Sequence, residues 1–307
     1  MARRRILVPV DFSTQSDLAL EYARNIASSL DAMISCIYVI EEQGMVSEKS
    51  IGNEIKHKLR RDAENKLSER VNLILNNEKK VSFELIVTSG TAHQKVLEKS
   101  IDLNVLMIII GRSNSSLKRT RKIGSNARKI VSRSLVPVIV VNKRTLGKHK
   151  HLIFPVDLET PYSEKLSRTT EIALVLGAFV SVIAVIEKER ASFRPVYLKK
   201  LREIDQSLNE QNVHCDTHLI ENQTTISSEI LKFSDRIEAG IILLMTRQEN
   251  KSDRPYMGLM EDEVLARTDE PVLFLNPRNT VRLFLSNPSQ HKHPASPSGV
   301  PLADHFI

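Results

Sequence analysis

Apolar positions along the chain switch repeatedly between a strand period and a helix period. Arg5 to Val10 is a short apolar run ending at Asp11, and Leu18, Tyr22, Ile26 and Leu30 then recur on one helix face. Met33 to Ile40 is rich in β-branched residues and predicts a strand. Ile55, Leu59, Ala63, Leu67, Val71 and Leu75 fall at every fourth position and predict a long amphipathic helix whose stripe is core. Val81 to Val87 predicts a third strand and Ala92 to Ser100 a helix. Val105 to Ile110 is continuously apolar, as strands buried on both faces of a parallel sheet are. Asn126 to Ser134 predicts a helix and Val136 to Val141 a last strand. Such alternation implies right-handed crossovers and a parallel sheet with helices on both faces.

The pattern occurs twice. A shift of 146 positions lays Pro9-Val10-Asp11 on Pro155-Val156-Asp157, Ile26-Ala27 on Ile172-Ala173, and Val39-Ile40-Glu41 on Val185-Ile186-Glu187. Near the ends of the halves a shift of 134 lays Gly124 on Gly258, Arg133 on Arg267 and Pro137-Val138 on Pro271-Val272. The second half therefore has a shorter middle. We expect an α/β chain of two tandem Rossmann-like domains, at residues 1–145 and 149–278, joined near the polar stretch Lys143 to Lys150. Residues 286–307, rich in Pro, Ser and His, read as a disordered tail.

Composition narrows the class. The chain has 307 residues, room for two cores, and its 41% hydrophobic and 26% charged content is that of a globular protein. No apolar run approaches the ~20 residues of a membrane span, and no secretory apolar segment follows Met1-Ala2-Arg3-Arg4-Arg5. Cys36 and Cys215 are too few for a disulfide framework or a zinc site and read as two buried thiols in a reducing compartment. A cytoplasmic location is expected.

In an open parallel sheet, ligands bind beyond the carboxyl ends of the strands, where strand order reverses. Asp11-Phe12-Ser13 follows the first strand. Gly111, Asn114 and, after a loop, Gly124-Ser125 follow the fourth. Glycines there let backbone N–H groups approach a phosphate, and a helix start adds partial positive charge. Asp11 and Ser13 also suit plain helix capping. G-x-x-x-x-G-K-[ST] and G-x-G-x-x-G are both absent, so neither a P-loop NTPase nor a dinucleotide enzyme is supported. H-E-x-x-H, C-x-x-C and G-x-S-x-G are missing too, and no nucleophile–base pair stands out, so no catalytic or metal-ligating residue is assigned.

Val8-Pro9-Val10-Asp11-Phe12-Ser13, Tyr38-Val39-Ile40-Glu41 and Gly111-x-x-Asn114-x9-Gly124-Ser125 ahead of Val136-Pro137-Val138-Ile139-Val140-Val141 resemble the universal stress protein family, in its tandem form. The resemblance spans residues 3–142 and 149–277. It implies five-stranded parallel sheets of order 3-2-1-4-5, pairing of the fifth strands between the halves as an intramolecular pseudo-dimer, and bound ATP, with Mg2+ as its companion ion. A further homodimer is compatible with it. Carried over by position, Asp11 would meet the adenine or ribose end beside Pro9 and Val10. Val39 would offer its backbone to the adenine edge, and Gly111, Asn114, Gly124 and Ser125 would hold the phosphates. Asn114 departs from the family's G-x2-G-x9-G-[ST]. Asn is the least costly replacement where φ must be positive, but its side chain obstructs where the backbone must touch phosphate.

Charge separates the halves. Arg112, Lys118, Arg119, Arg121, Lys122, Arg128, Lys129 and Arg133 crowd one stretch that has no acidic residue, against a formal net charge of +7 for the whole chain. Around a phosphate loop they would attract a polyanion. Nucleic acid is disfavoured, because no aromatic platform accompanies the run. In the second half Thr246 and Glu249 stand near the places of Gly111 and Asn114, Leu259 replaces Ser125, and Asp262 and Glu263 replace Arg128 and Lys129. Carboxylates in a helix's first turn repel phosphate, so this site is expected to have lost triphosphate binding, leaving Asp157 structural. The expected function is an ATP-binding stress-response module acting on an unknown protein partner. The alternatives are a nucleotide-free scaffold and a slow ATPase or nucleotidyl transferase.

Overall fold

The structure is a computed structural model that describes residues 3–41, 53–75, 81–112, 123–142, 149–248 and 255–276. The first half runs β1 (Arg5–Pro9), α1 (Thr14–Leu30), β2 (Met33–Ile40), α2 (Asn53–Leu75), β3 (Phe83–Ser89), α3 (Ala92–Asp102), β4 (Met107–Gly111), α4 (Ser125–Arg133), β5 (Val138–Val141). The second runs β6 (His151–Pro155), α5 (Ser163–Leu176), β7 (Phe179–Ile186), a 3-10 turn (Lys188–Phe193), α6 (Arg194–Glu210), β8 (Cys215–Glu221), α7 (Ile226–Arg236), β9 (Ile241–Met245). It closes with β10 (Arg247–Gln248), β11 (Pro255–Tyr256), α8 (Leu259–Arg267) and β12 (Val272–Leu275).

Strand order is β3-β2-β1-β4-β5 in the first half and, mirrored, β12-β9-β6-β7-β8 in the second. Both are the expected 3-2-1-4-5. Pairing within each half is parallel, whereas β5 and β12 pair antiparallel, so ten strands make one sheet. Alternation along β1 sends Ile6 and Val8 to one face and Leu7 to the other. The first face is covered by α1, α2, α5 and α6 through residues such as Leu20, Leu67, Ile172 and Leu201. The second is covered by α3, α4, α7 and α8 through Val96, Ile130, Ile230 and Val264.

The long stripe on α2 is core only in part. Ala63, Leu67, Val71 and Leu75 are buried, but Ile55 and Leu59 are 56% and 37% exposed. Length is the reason: 23 helical residues reach about 34 Å, whereas the 8 residues of β2 reach about 26 Å, so the first turns overhang the sheet. Bonds to α1 hold the packed end, where Arg70 pairs with Asp17 and Arg24 donates to the Ile74 carbonyl at 2.9 Å. The shorter middle of the second half is visible in α6, which has 17 residues. Cys36 is buried as expected, but Cys215 on β8 is only half-buried, its thiol facing Asp205 of α6. Neither the 286–307 tail nor the 143–148 part of the joining stretch lies within the described residues.

Candidate functional site

β1 leaves the sheet abruptly. Pro9 is its last residue, buried Val10 donates its N–H to the Ile37 carbonyl at 2.8 Å, and the chain then turns through Phe12 at φ 63°. Ser13 caps α1 by accepting from the Ser16 N–H at 3.2 Å. Asp11, exposed, is not the cap. Its Oδ1 accepts from the Ser13 N–H at 3.0 Å and from the Ser13 hydroxyl, which orients the capping residue. The Phe12 ring lies 4.7 Å from that of Tyr38, with the Lys66 ammonium 4.2 Å from its centroid.

The early end of β1 leaves backbone groups of its neighbours facing the gap. In a parallel ladder, alternate residues direct both N–H and C=O to the same side. On β2, Ile34 and Ile40 bond toward β3, through Ser82 and Gly90, whereas Met33 and Ile37 bond toward β1. Val39 shares the parity of Met33 and Ile37, so its amide and carbonyl point past the end of β1. On β4, Ile108 and Arg112 bond toward β5, through Pro137 and Val141. Gly111, of opposite parity, therefore also faces the gap. Two strands thus frame one slot above Pro9 and Val10.

Gly111 has a second constraint. A Cβ there would stand 2.1 Å from the Gln15 carbonyl oxygen, so the close approach enforcing glycine is made by the first turn of α1. Gly124 is the N-cap residue of α4, at φ −62° and without a side-chain cap, and the first turn of α4 holds no acidic residue. Its free N–H groups and the exposed Ser125 hydroxyl are available to an anion. Asn114, together with Lys118, Arg119, Arg121 and Lys122, lies outside the described residues.

One residue beside this helix start carries no signal in the sequence. His93, in the first turn of α3, is 5% exposed, and its Nδ1 has no hydrogen-bond partner among the described residues. Burial, reinforced by the Lys129 charge, holds its imidazole below the ordinary range, against its hydrogen bond with Asn126. Asn126 also donates to Glu41 at 3.3 Å, tying α4 to the end of β2. A lone histidine at helical spacing has no motif that would have found it.

Two arginines expected around the phosphates point elsewhere. Arg112 is 4% exposed and donates to the Leu265 carbonyl at 2.5 Å, at the end of α8. Helix C-terminal carbonyls favour a cation there. Arg128 pairs with Asp262 at 2.8 Å. Charge pattern alone carries no direction, and these side chains face the second half.

The matching end of the second half is closed by its own residues. Asp157 accepts from the Glu159 N–H at 2.9 Å and from Thr160, a local turn. Glu159 is held by Arg190 and by the Tyr197 hydroxyl at 2.6 Å, and Lys200 donates to the Leu158 carbonyl. Ahead of Gly258, β10 and β11 zip into an antiparallel hairpin with Arg247 opposite Tyr256. The first turn of α8 carries Glu261 and Asp262. Where His93 and Lys129 stand in the first half, Ser227 donates to Glu263 at 2.6 Å.

Comparisons with known proteins agree with this architecture. A universal stress protein of Methanocaldococcus jannaschii is 24% identical over 159 residues, 46% of this chain and 96% of that protein. The crystal structure of a universal stress protein from Archaeoglobus fulgidus superposes with a TM-score of 0.69 at 17% identity, covering 89% of this chain and 98% of that one. A Pseudomonas aeruginosa protein of unknown function gives 0.62 at 17% identity, covering 91% and 95%. These two likenesses establish the fold. The Universal stress protein family model matches residues 2–142, in a chain about twice as long as one such domain.

Proposed function

We propose that the chain is a tandem nucleotide-responsive module that binds ATP in the first of two domains, residues 1–145, the second spanning 149–278. The slot above Pro9 and Val10 takes the nucleoside, with the Val39 backbone on the adenine edge and Asp11 toward the ribose. Gly111, the start of α4 at Gly124 and the Ser125 hydroxyl take the phosphates, together with Asn114. Mg2+ would travel with the triphosphate, and Asp11 is an exposed carboxylate at this end. Among the described residues no group of three or more His, Cys, Asp or Glu gathers to hold a metal independently of phosphate. The residues fit an adenine nucleotide because backbone groups from two strands and an uncapped helix start converge on one gap.

One observation carries the reading: that convergence exists in the first half, while the second half fills the same place with a hairpin and carboxylates. The two domains associate within the chain through β5 and β12 as an intramolecular pseudo-dimer, in the cytoplasm. Nucleotide occupancy alters the surface near α4 that a protein partner meets. No helix among the described residues is long and apolar enough to cross a membrane.

The test is equilibrium binding of ATP to the full chain, with native mass spectrometry of freshly purified protein. One ATP per chain is expected, weakened about tenfold or more by Gly124→Arg, which fills the helix start. Unchanged affinity in that variant overturns the site. Undetectable ATP in both measurements leaves the nucleotide-free scaffold.

A further inference from the structure

We infer that the joint between the halves is selective by charge: the first half is built to accept the second half of its own chain and to reject another first half. The inference rests on the intramolecular pairing proposed above. β5 and β12 pair with Val138 opposite Phe274, Ile139 opposite Leu273 and Val140 opposite Val272. In the internal repeat Val138, Ile139 and Val140 correspond to Val272, Leu273 and Phe274. Ile139 thus lies against its own counterpart, and its neighbours exchange reciprocally, the arrangement of a two-fold axis.

Side chains beyond the strands follow the same rule. Asn142 donates to the Thr268 carbonyl at 3.0 Å, and its counterpart Asn276 donates to the carbonyl of Ser134, the counterpart of Thr268, at 3.1 Å. Position 128 corresponds to position 262, and these two also face each other. In a pair of identical domains such a position must carry the same residue twice. Here it carries Arg128 and Asp262, joined by a 2.8 Å ion pair whose side chains are 41% and 33% exposed.

The divergence is directional. Two first halves would oppose Arg128 to Arg128, and two second halves would oppose Asp262 to Asp262; only the mixed pair is attractive. Arg112 adds a one-sided contact. It reaches the α8 carbonyls, while its counterpart Thr246 stays within its own half, donating to Leu275 at 3.4 Å. Duplication within one chain released these positions from the identity that symmetry imposes on a homodimer.

The experiment uses the full chain with a specific protease site placed in residues 143–148, cut after purification, and compares wild type, Arg128→Asp, Asp262→Arg and the double exchange. Position 128 and position 262 are partly solvated, so all four are expected to fold, which circular dichroism before cutting checks. Native mass spectrometry and dissociation measured at low and high salt are expected to find one-to-one mixed pairs in wild type. Each single reversal should raise the dissociation constant about tenfold at low salt, and the double exchange should restore it. Equal dissociation in all four, no recovery in the double exchange, or first-half pieces pairing with one another overturns charge selection while leaving the joint intact. Separation of the wild-type pieces overturns the pairing itself and the inference with it.

Discussion

Gly111→Ala tests whether α1 truly rests on the end of β4. An alanine Cβ at that position would stand 2.1 Å from the Gln15 carbonyl oxygen, 2.4 Å from its carbon and 2.8 Å from its Cβ. Carbon–carbon contacts are comfortable at about 3.5–4.0 Å, so the first turn of α1 must retreat by more than about 1 Å. Two of the three atoms are backbone and cannot rotate aside. One extra methyl in a packed interior costs about 1–3 kcal/mol, and a rigid backbone neighbour places this case near 3. Lower entropy of the unfolded alanine chain offsets about 0.4–1 of that, leaving about 2–3 kcal/mol. Gly177→Ala is the control: its φ of 59° lies in the left-handed region, yet a Cβ there meets nothing within 4 Å. Its cost is conformational alone, about 1–2 kcal/mol. Urea unfolding followed by circular dichroism should therefore rank Gly111→Ala as the more destabilised. The reverse order would refute the packing argument. A retreat of α1 also drags Asp11 and Ser13, so ATP affinity should fall in Gly111→Ala and stay unchanged in Gly177→Ala.

Arg112→Met keeps most of the buried volume but removes charge-assisted bonds to the Leu265 and Ala266 carbonyls; a loss of about 1.5–3 kcal/mol in urea unfolding is expected. His149 and His151 are both held below the ordinary imidazole range, first by burial and then, for His149, by the Lys150 charge. The unfolded chain binds these protons more readily, so stability is full above about pH 6.5 and is lost as pH falls from there through the lower folded values. Thermal scans at pH 7 and pH 5 should show the drop, and His149→Phe should shrink it. The Cys215 thiol is pushed up to about 12 by burial and by Asp205, and the Cys36 thiol is raised as well. Both should react slowly with a thiol reagent at neutral pH until denaturant is added.

Periodicity located the elements because burial on two faces leaves little choice of residue. Val105 to Ile110 could only be an interior strand, and Ile108 and Ile109 are fully buried. It overreached at Ile55 and Leu59 because a stripe records which face is apolar and says nothing of where the sheet beneath it ends. Of the candidate site, what was legible is its place on the backbone: Pro9, Val10, Asp11, Val39, Gly111, Gly124 and Ser125 all fall at the carboxyl end of the sheet. What sequence could not supply was direction. Arg112 and Arg128 sit in a basic run, yet their targets are α8 carbonyls and Asp262, residues more than a hundred positions away. The β10–β11 hairpin was equally hidden, since two residues per strand carry no period.

The joint at Ile139 and Leu273 has a bearing on how the protein survives in a crowded solution. Four flanks would exist if the halves stood apart, and fusion leaves two, β3 and β8. Those outer strands carry Glu84, Asp216 and Glu221, charges that discourage a stray chain from adding itself. The covered strands hold Val-Ile-Val-Val and Val-Leu-Phe-Leu, wholly apolar flanks that the joint keeps out of water. A truncation that strips either half should therefore yield a piece less soluble than the whole chain, because it bares an apolar flank to water.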